Sequence, residues 1–316
     1  MKHSLLLALF IAILSSFSIP VFASEQKAVL VTGASSGSGR VIAEMLAKKG
    51  YFVYATARKE KDLQELDAID NIKAIKLDVT IQSEIDAAVE IVKQEGRGLY
   101  GLVNNAGVAV LGPLVEIAES EVDFVMDVNV MGPYRVTKAF APLIIESKGR
   151  ITTTGSVSGI LSGRFYGPYS MTKHAMEAFT DSLAVEMDKF GVQVSIIDPG
   201  GFNSKIGPKV YQRMKASGYD FEKSLYKEEW ENSWLLEDEG NYDLKNNVPV
   251  EIAEAVLDTL EAEQPKRRYM IVGEKGTADA TIRKAMEEMV QLNSKQQHTL
   301  SRDDLVKMLD ALLEEN

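Results

Sequence analysis

From residue 27 onward the chain alternates short apolar runs with longer amphipathic stretches. "KAVLVTG" (27–33) is a continuous apolar run closed by glycine, the pattern of a strand buried on both faces. "RVIAEMLAKKG" (40–50) follows. It places Val41, Ile42, Met45 and Leu46 on one helical face, with Gly50 as a stop. Further strands are expected at "YFVYATAR" (51–58), "NIKAIKLDVT" (71–80), "GLYGLVNNAG" (98–107), "RITTTGS" (150–156) and "VQVSIIDPG" (192–200). "KRRYMIVG" (266–273) supplies a seventh candidate. Helices are expected at 83–96, across most of 119–148, and at 170–191. Strands alternating with helices of this length imply an α/β fold. We expect a doubly wound, mainly parallel sheet with helices on both faces, as one domain. Ligands of such sheets bind outside the carboxyl ends of the strands.

Two regions break the rhythm. Residues 201–249 mix charges with Phe202, Tyr211, Tyr219, Phe221, Tyr226, Trp230, Trp234 and Tyr242. A connection this long inside a compact domain is usually functional or loosely packed. We expect a partly helical lid over a substrate cleft. The first 23 residues form the second region: Lys2 and His3, an apolar run from Leu5 to Leu14, Pro20, then Val21-Phe22-Ala23. That is the layout of a secretory signal cleaved before Ser24, which would place the protein in a periplasm or organelle lumen. An uncleaved membrane anchor and an early-assigned start codon are the alternatives. After residue 273 the chain reads as a helical extension. It has a capping box from Ser301 to Asp304, and an apolar face of Leu305, Met308, Leu309 and Leu312 for packing on the parent domain or on a second copy.

Composition narrows the chemistry. Of 316 residues 45% are hydrophobic and 26% charged, and the net charge of −11 disfavours nucleic acid as a partner. There is no cysteine, and the three histidines, His3, His174 and His298, have no ligand-like spacing, so no metal site is expected. "TGASSGSG" (Thr32 to Gly39) lies between a strand and a helix. Gly33 suits a tight turn, while Gly37 and Gly39 let the backbone and a helix N-terminus approach a pyrophosphate. Downstream, Tyr169 and Lys173 stand four residues apart on one helical face, so an ammonium can sit beside a phenol and favour the phenolate. Such a phenol can take a proton from an alcohol or return one to a carbonyl. "YQRMK" (Tyr211, Lys215) and "YDFEK" (Tyr219, Lys223) share the spacing, and are read as surface residues of the lid. Tyr166 is followed four residues on by Ser170, and is placed at the substrate entrance.

Five motifs in order resemble the short-chain dehydrogenase/reductase family: the glycine loop, "NNAG", "DVNVMG", "TTGSVSG" with "YSMTK", and "DPGGFNS". The resemblance runs from residue 27 to about 204. It implies a catalytic set of Asn129, Ser156, Tyr169 and Lys173. Ser156 would orient the substrate oxygen and Asn129 would hold a water in a proton relay to Lys173. It also implies dinucleotide contacts from Thr32, Gly33, Ser35, Ser36, Gly37, Ser38, Gly39, Asp78, Asn105, Ala106, Gly107, Tyr169, Lys173, Pro199, Gly200 and Ser204, the last standing where the family has threonine. Asp78 could equally serve a turn or helix start. Where NAD-binding members carry an aspartate after the second strand, this chain has Ala57 followed by Arg58, which favours NADP, with NAD as the alternative. "GRITTTGSVSG" and "RRYMIVG" resemble the hydroxysteroid and retinol dehydrogenase branch. The implied activity is oxidation of an alcohol or reduction of a carbonyl compound, with a small, hydrophobic substrate and a homo-oligomeric state. A sugar or 3-oxoacyl substrate and a non-catalytic redox sensor are the rival readings.

Overall fold

The computed structural model describes residues 26–200, 206–233 and 250–315. The N-terminal segment read as a signal, Ser204, and the 201–205 and 234–249 parts of the lid lie outside them. Seven parallel strands form one sheet: β1 (Ala28–Val31), β2 (Phe52–Ala57), β3 (Ile72–Lys76), β4 (Gly101–Asn104), β5 (Arg150–Thr154), β6 (Gln193–Gly200) and β7 (Arg268–Val272). Their order is β3-β2-β1-β4-β5-β6-β7, so the winding reverses between β1 and β4. This is the expected doubly wound fold.

Helices cover both faces. On one side α1 (Gly37–Lys48), α2 (Glu60–Asp67) and α9 (Val250–Glu261) bury Ile42, Leu46, Leu66, Val256 and Leu260 against Val29, Val31 and Val53. On the other, α3 (Gln82–Glu95), α5 (Gly132–Glu146) and α6 (Gly167–Asp188) bury Ile85, Val136, Phe140 and Met187 against Leu30, Leu102 and Ile151. Strands covered twice have no solvent face, which is why β1 reads AVLV without polar alternation. Each such side chain contributes about 1.5–3 kcal/mol by leaving water. Gly50 (φ +92°) stops α1 as expected, and Gly96 (φ +68°), read as the end of the 83–96 helix, is the left-handed cap just after α3. Helix α2 lies in a stretch the apolar pattern leaves blank, because Leu66 is its only buried residue.

The remaining helices are α4 (Glu119–Met126), α7 (Ile206–Ala216) and α8 (Lys227–Glu231) beside the cleft, and α10 (Lys275–Asn293) and α11 (Arg302–Glu314) at the C-terminus. Ser301 and Asp304 form the expected reciprocal cap of α11. Its apolar face is only partly covered: Leu305 is half-buried, Met308 is 54% exposed and Leu312 56%. Among the described residues, no helix is long and apolar enough to cross a membrane.

Candidate functional site

The nucleotide loop is built by close approach. Gly33 has φ +68°, and a Cβ there would lie 2.9 Å from the Ala106 Cα. A Cβ on Gly39 would lie 2.3 Å from Asn105 Nδ2 and 2.4 Å from the Gly33 oxygen. Gly37 has φ +59° with open space around it. The Thr32 hydroxyl accepts the N–H groups of Asn105 (2.9 Å) and Ala106 (3.0 Å), and Asn105 Nδ2 donates to the Thr32 carbonyl at 3.0 Å. The β1 and β4 loops are thereby tied into one cradle at the point where the winding reverses. Gly107 is exposed beside it.

This cradle fits a dinucleotide. Ser36 is the N-cap of α1 but makes no side-chain cap bond, and the first turn carries no acidic residue. The helix N–H groups beyond Ser35, Ser36 and Ser38 therefore face an anion site without an internal competitor. At the end of β2, Arg58 is 65% exposed and reaches Asp78 Oδ2 only at 3.5 Å. Ala57 is buried and offers no carboxylate. Asp78 fills the turn role. It accepts the Thr80 N–H (3.0 Å) and hydroxyl (2.7 Å) in a local turn, and it stands beside Arg58. Burial pushes its carboxyl up, but the Thr80 bonds and the Arg58 charge outweigh that and hold it below the usual range.

The proposed catalytic groups converge at the ends of β4, β5 and β6. On α6, Lys173 Nζ lies 5.5 Å from the Tyr169 ring centre and donates to the Thr154 carbonyl at 2.9 Å. Lys173 is only 7% exposed, so α6 and β5 fix its ammonium. Ser156 follows β5; its Oγ accepts the Ser158 N–H at 3.1 Å and lies 3.4 Å from the Pro199 carbonyl. Gly200 packs on Val157, where a Cβ would stand at 2.5 Å. Asn129 sits in a π turn, Asp127–Met131. Its side chain is fully engaged: Oδ1 accepts the Val108 N–H (2.8 Å), and Nδ2 donates to the Val108 carbonyl (2.8 Å) and the Thr172 hydroxyl (3.1 Å). Thr172 in turn donates to the Tyr169 carbonyl at 2.7 Å. Thr154, Thr172 and Val108 were not singled out from sequence, since each acts through a backbone group or a buried hydroxyl.

The lid is an aromatic cluster. Trp230 is 1% exposed and stacks on Phe165, ring centres 4.1 Å apart. Leu111, Val210 and Met214 complete the core, with Tyr166, Tyr169, Tyr219, Phe221 and Tyr226 packed against it. Phe165 adopts φ +68° and its carbonyl accepts the Gly112 N–H at 2.7 Å. Arg213 forks onto Glu121 and lies 3.6 Å from the Phe124 ring centre. Tyr219 is not the surface residue expected. Its hydroxyl meets Glu116, Ser224 (3.0 Å) and Trp230 Nε1 (3.0 Å), inside the lid. Tyr211 is half-buried against Phe221, whereas Lys215 and Lys223 are exposed as expected. Tyr166 lines a surface concavity with Arg164, Phe165 and Glu228 that contains none of the four catalytic candidates.

The family model described as short chain dehydrogenase matches residues 27–215. The mitochondrial D-beta-hydroxybutyrate dehydrogenase of Bos taurus is 39% identical over 186 residues, covering 56% of this chain and 54% of that one. Retinol dehydrogenase 7 of Rattus norvegicus is 38% identical over 187 residues, covering 58% and 59%. The matched part thus spans about half the length of these curated relatives. Among solved structures, a variant actinorhodin polyketide ketoreductase with NADPH superposes with a TM-score of 0.64 at 27% identity, over 80% of this chain and 98% of that one.

Proposed function

The chain belongs to the short-chain dehydrogenase family, in its hydroxysteroid and retinol dehydrogenase-like branch, and on that premise we propose an NADP-preferring oxidoreductase that interconverts an alcohol and a carbonyl compound. The observation that carries the reading is the fixed Tyr169–Lys173 pair beside a cradle with uncapped helix N–H groups. The cradle residues would hold a nicotinamide dinucleotide, which when bound would supply or accept the hydride. The chain's own groups handle orientation and the proton. The Ser156 hydroxyl orients the substrate oxygen. Tyr169 takes the proton of an alcohol, or gives one to a carbonyl oxygen, as general base or acid. The Lys173 ammonium stabilises the phenolate that the first direction forms. Asn129 contributes through its backbone, because its side chain is spent on Val108 and Thr172. Residue 133 is proline, so the Asn129 carbonyl has no α-helical donor, which suits it to accept a relay water.

Two further features support the finer reading. Arg58, exposed and weakly paired, suits a 2′-phosphate better than a ribose diol. The apolar lid cluster extends to the Tyr169 ring, which favours a hydrophobic alcohol or ketone. Tyr169→Phe tests the reading. Turnover should fall by about 10²–10⁴-fold with NADPH binding retained. A variant that keeps turnover would remove Tyr169 as the acid/base. A wild-type protein that binds NADPH but turns over no alcohol or carbonyl would favour the sensor.

A further inference from the structure

Tyr169, Lys173, Glu177 and Asp181 follow one another at four-residue intervals on α6, so one face of the helix carries all four. The proposed reaction uses the first two. Arg268 of β7 holds the other two, with Nε 2.8 Å from Glu177 Oε2 and Nη2 2.7 Å from Asp181 Oδ2. Glu177 Oε1 is buried and no protein N–H or hydroxyl reaches it. Asp198 of β6 lies against Glu177 and is 2% exposed. Its Oδ1 accepts the Ser156 N–H at 3.0 Å. Glycines make the room: a Cβ on Gly155 would stand 2.1 Å from Asp198 Oδ1, and one on Gly159 2.9 Å from Glu177 Oε1.

Two ionised carboxylates in contact away from water repel, and a buried acceptor without a donor is costly. One proton between them removes both problems. Burial first, then Glu177, pushes the Asp198 carboxyl up to about 8, against the Ser156 N–H and the Lys173 ammonium. Arg268 Nε pairs with Glu177 Oε2 at 2.8 Å, and not with the unpartnered Oε1. The charged groups around the pair are therefore Lys173 and Asp181 from α6 and Arg268 from β7.

We propose that Asp198 and Glu177 are positioning residues: an acid–carboxylate pair that shares one proton and, through Asp198 Oδ1 and the Ser156 N–H, fixes the Ser156 hydroxyl for the substrate oxygen. Their role in turnover rests on the reading of Ser156 given above. The shared proton does not, and can be measured without substrate.

The first test is infrared spectroscopy of the full-length protein at neutral pH. A protonated-carboxyl stretch should be present in wild type, absent from Asp198→Asn, and fade as pH rises through about 8. A wild-type spectrum with no Asp198-sensitive band overturns the proposal whatever the enzyme does. The second test is kinetic. Asp198→Leu should lower kcat on the order of 10- to 100-fold while KM and NADPH binding change less. Asp198→Asn keeps an acceptor for Ser156 and a donor for Glu177, so it should recover most of that loss. Adding Ser156→Ala to Asp198→Leu should cost little more than either alone, since both remove the same function. Fully additive losses would mean that Asp198 does not act through Ser156, and would overturn the positioning role. If Asp198→Leu fails to fold, Asp198→Ala takes its place in the same cycle with Ser156→Ala, and the infrared result still decides the shared proton by itself.

Discussion

The glycine cradle and the aromatic cluster of the lid segment are built from opposite materials. The cradle is backbone: Gly33 and Gly39 pack within van der Waals contact of Ala106 and Asn105, and a threonine hydroxyl ties two loops. The lid is side chain: Trp230, Phe165, Tyr219 and Phe221 make ring contacts, and Glu116 and Glu121 anchor it. A backbone cradle is specified by where side chains are missing, and a Cβ at the wrong place breaks it. A side-chain lid is specified by volume, so it tolerates exchange of shape while losing most when a large ring is removed. The two should therefore fail differently, and largely independently.

The largest effect expected is from Trp230→Ala. Truncating a buried aromatic costs about 3–5 kcal/mol. That loss falls on a cluster made mainly within 206–233 and around Phe165. Hydrogen exchange should accelerate across the lid amides and substrate KM should rise, while NADPH affinity holds. Loss of nucleotide binding together with the lid would break the comparison, because it would show one cooperative unit.

Gly39→Ala tests the other side. The new methyl meets the Gly33 oxygen and the Asn105 amide, and overpacking of this kind costs about 1–3 kcal/mol. NADPH affinity should fall on the order of 10- to 100-fold, with lid exchange unchanged. Gly37→Ala meets no atom within 4 Å, and only its positive φ is penalised, so a smaller loss is expected there. Equal losses at the two positions would show that close packing is not what the loop requires.

The same contrast explains what could be read from sequence. The inner strands were legible because a doubly covered strand takes an unbroken apolar run, as at AVLV, whereas the edge strand RYMIV is only partly buried and was read from its place in the alternation. The cradle was legible because glycine marks missing side chains, and Tyr169 with Lys173 because helix spacing brings them to one face. Tyr219 was misread as a surface residue: its partners Glu116 and Trp230 stand 103 and 11 positions away, and no local period reports them. Asp198 and Glu177 were invisible as a pair for the same reason, although Glu177 continues the four-residue series from Tyr169. The C-terminal helix α11 shows the converse error. Its apolar stripe is real, yet amphipathicity alone does not name the surface it covers.

Arg58→Ala sharpens the comparison at the cradle's outer end. An exposed guanidinium contributes one charge-assisted contact, so NADPH affinity should fall about tenfold while NADH affinity stays nearly constant. Parallel loss for both nucleotides would place Arg58 in general binding and leave the NADP preference without support.

The smallest effect expected is a pH dependence confined to the lid. Burial pushes the Glu116 carboxyl up, but bonds from the Tyr219 and Ser224 hydroxyls and the Leu225 N–H outweigh it and hold it below the usual carboxylate range. A depressed folded value means the contribution to lid stability is fully present above the unfolded value of about 4.3. It is lost as pH falls through the lower folded value. Glu116 anchors Tyr219, whose hydroxyl receives the Trp230 Nε1 bond, so acidification should loosen the packing around Trp230 before the sheet unfolds. Hydrogen exchange of the indole N–H and the 219–230 amides, followed from pH 7 downward, should quicken near that carboxylate transition. Glu116→Gln should show little such change. It accepts fewer strong bonds than the carboxylate, so exchange should already be modestly faster at neutral pH. An acid transition that persists unchanged in Glu116→Gln would remove Glu116 as the anchor and leave the division between cradle and lid intact.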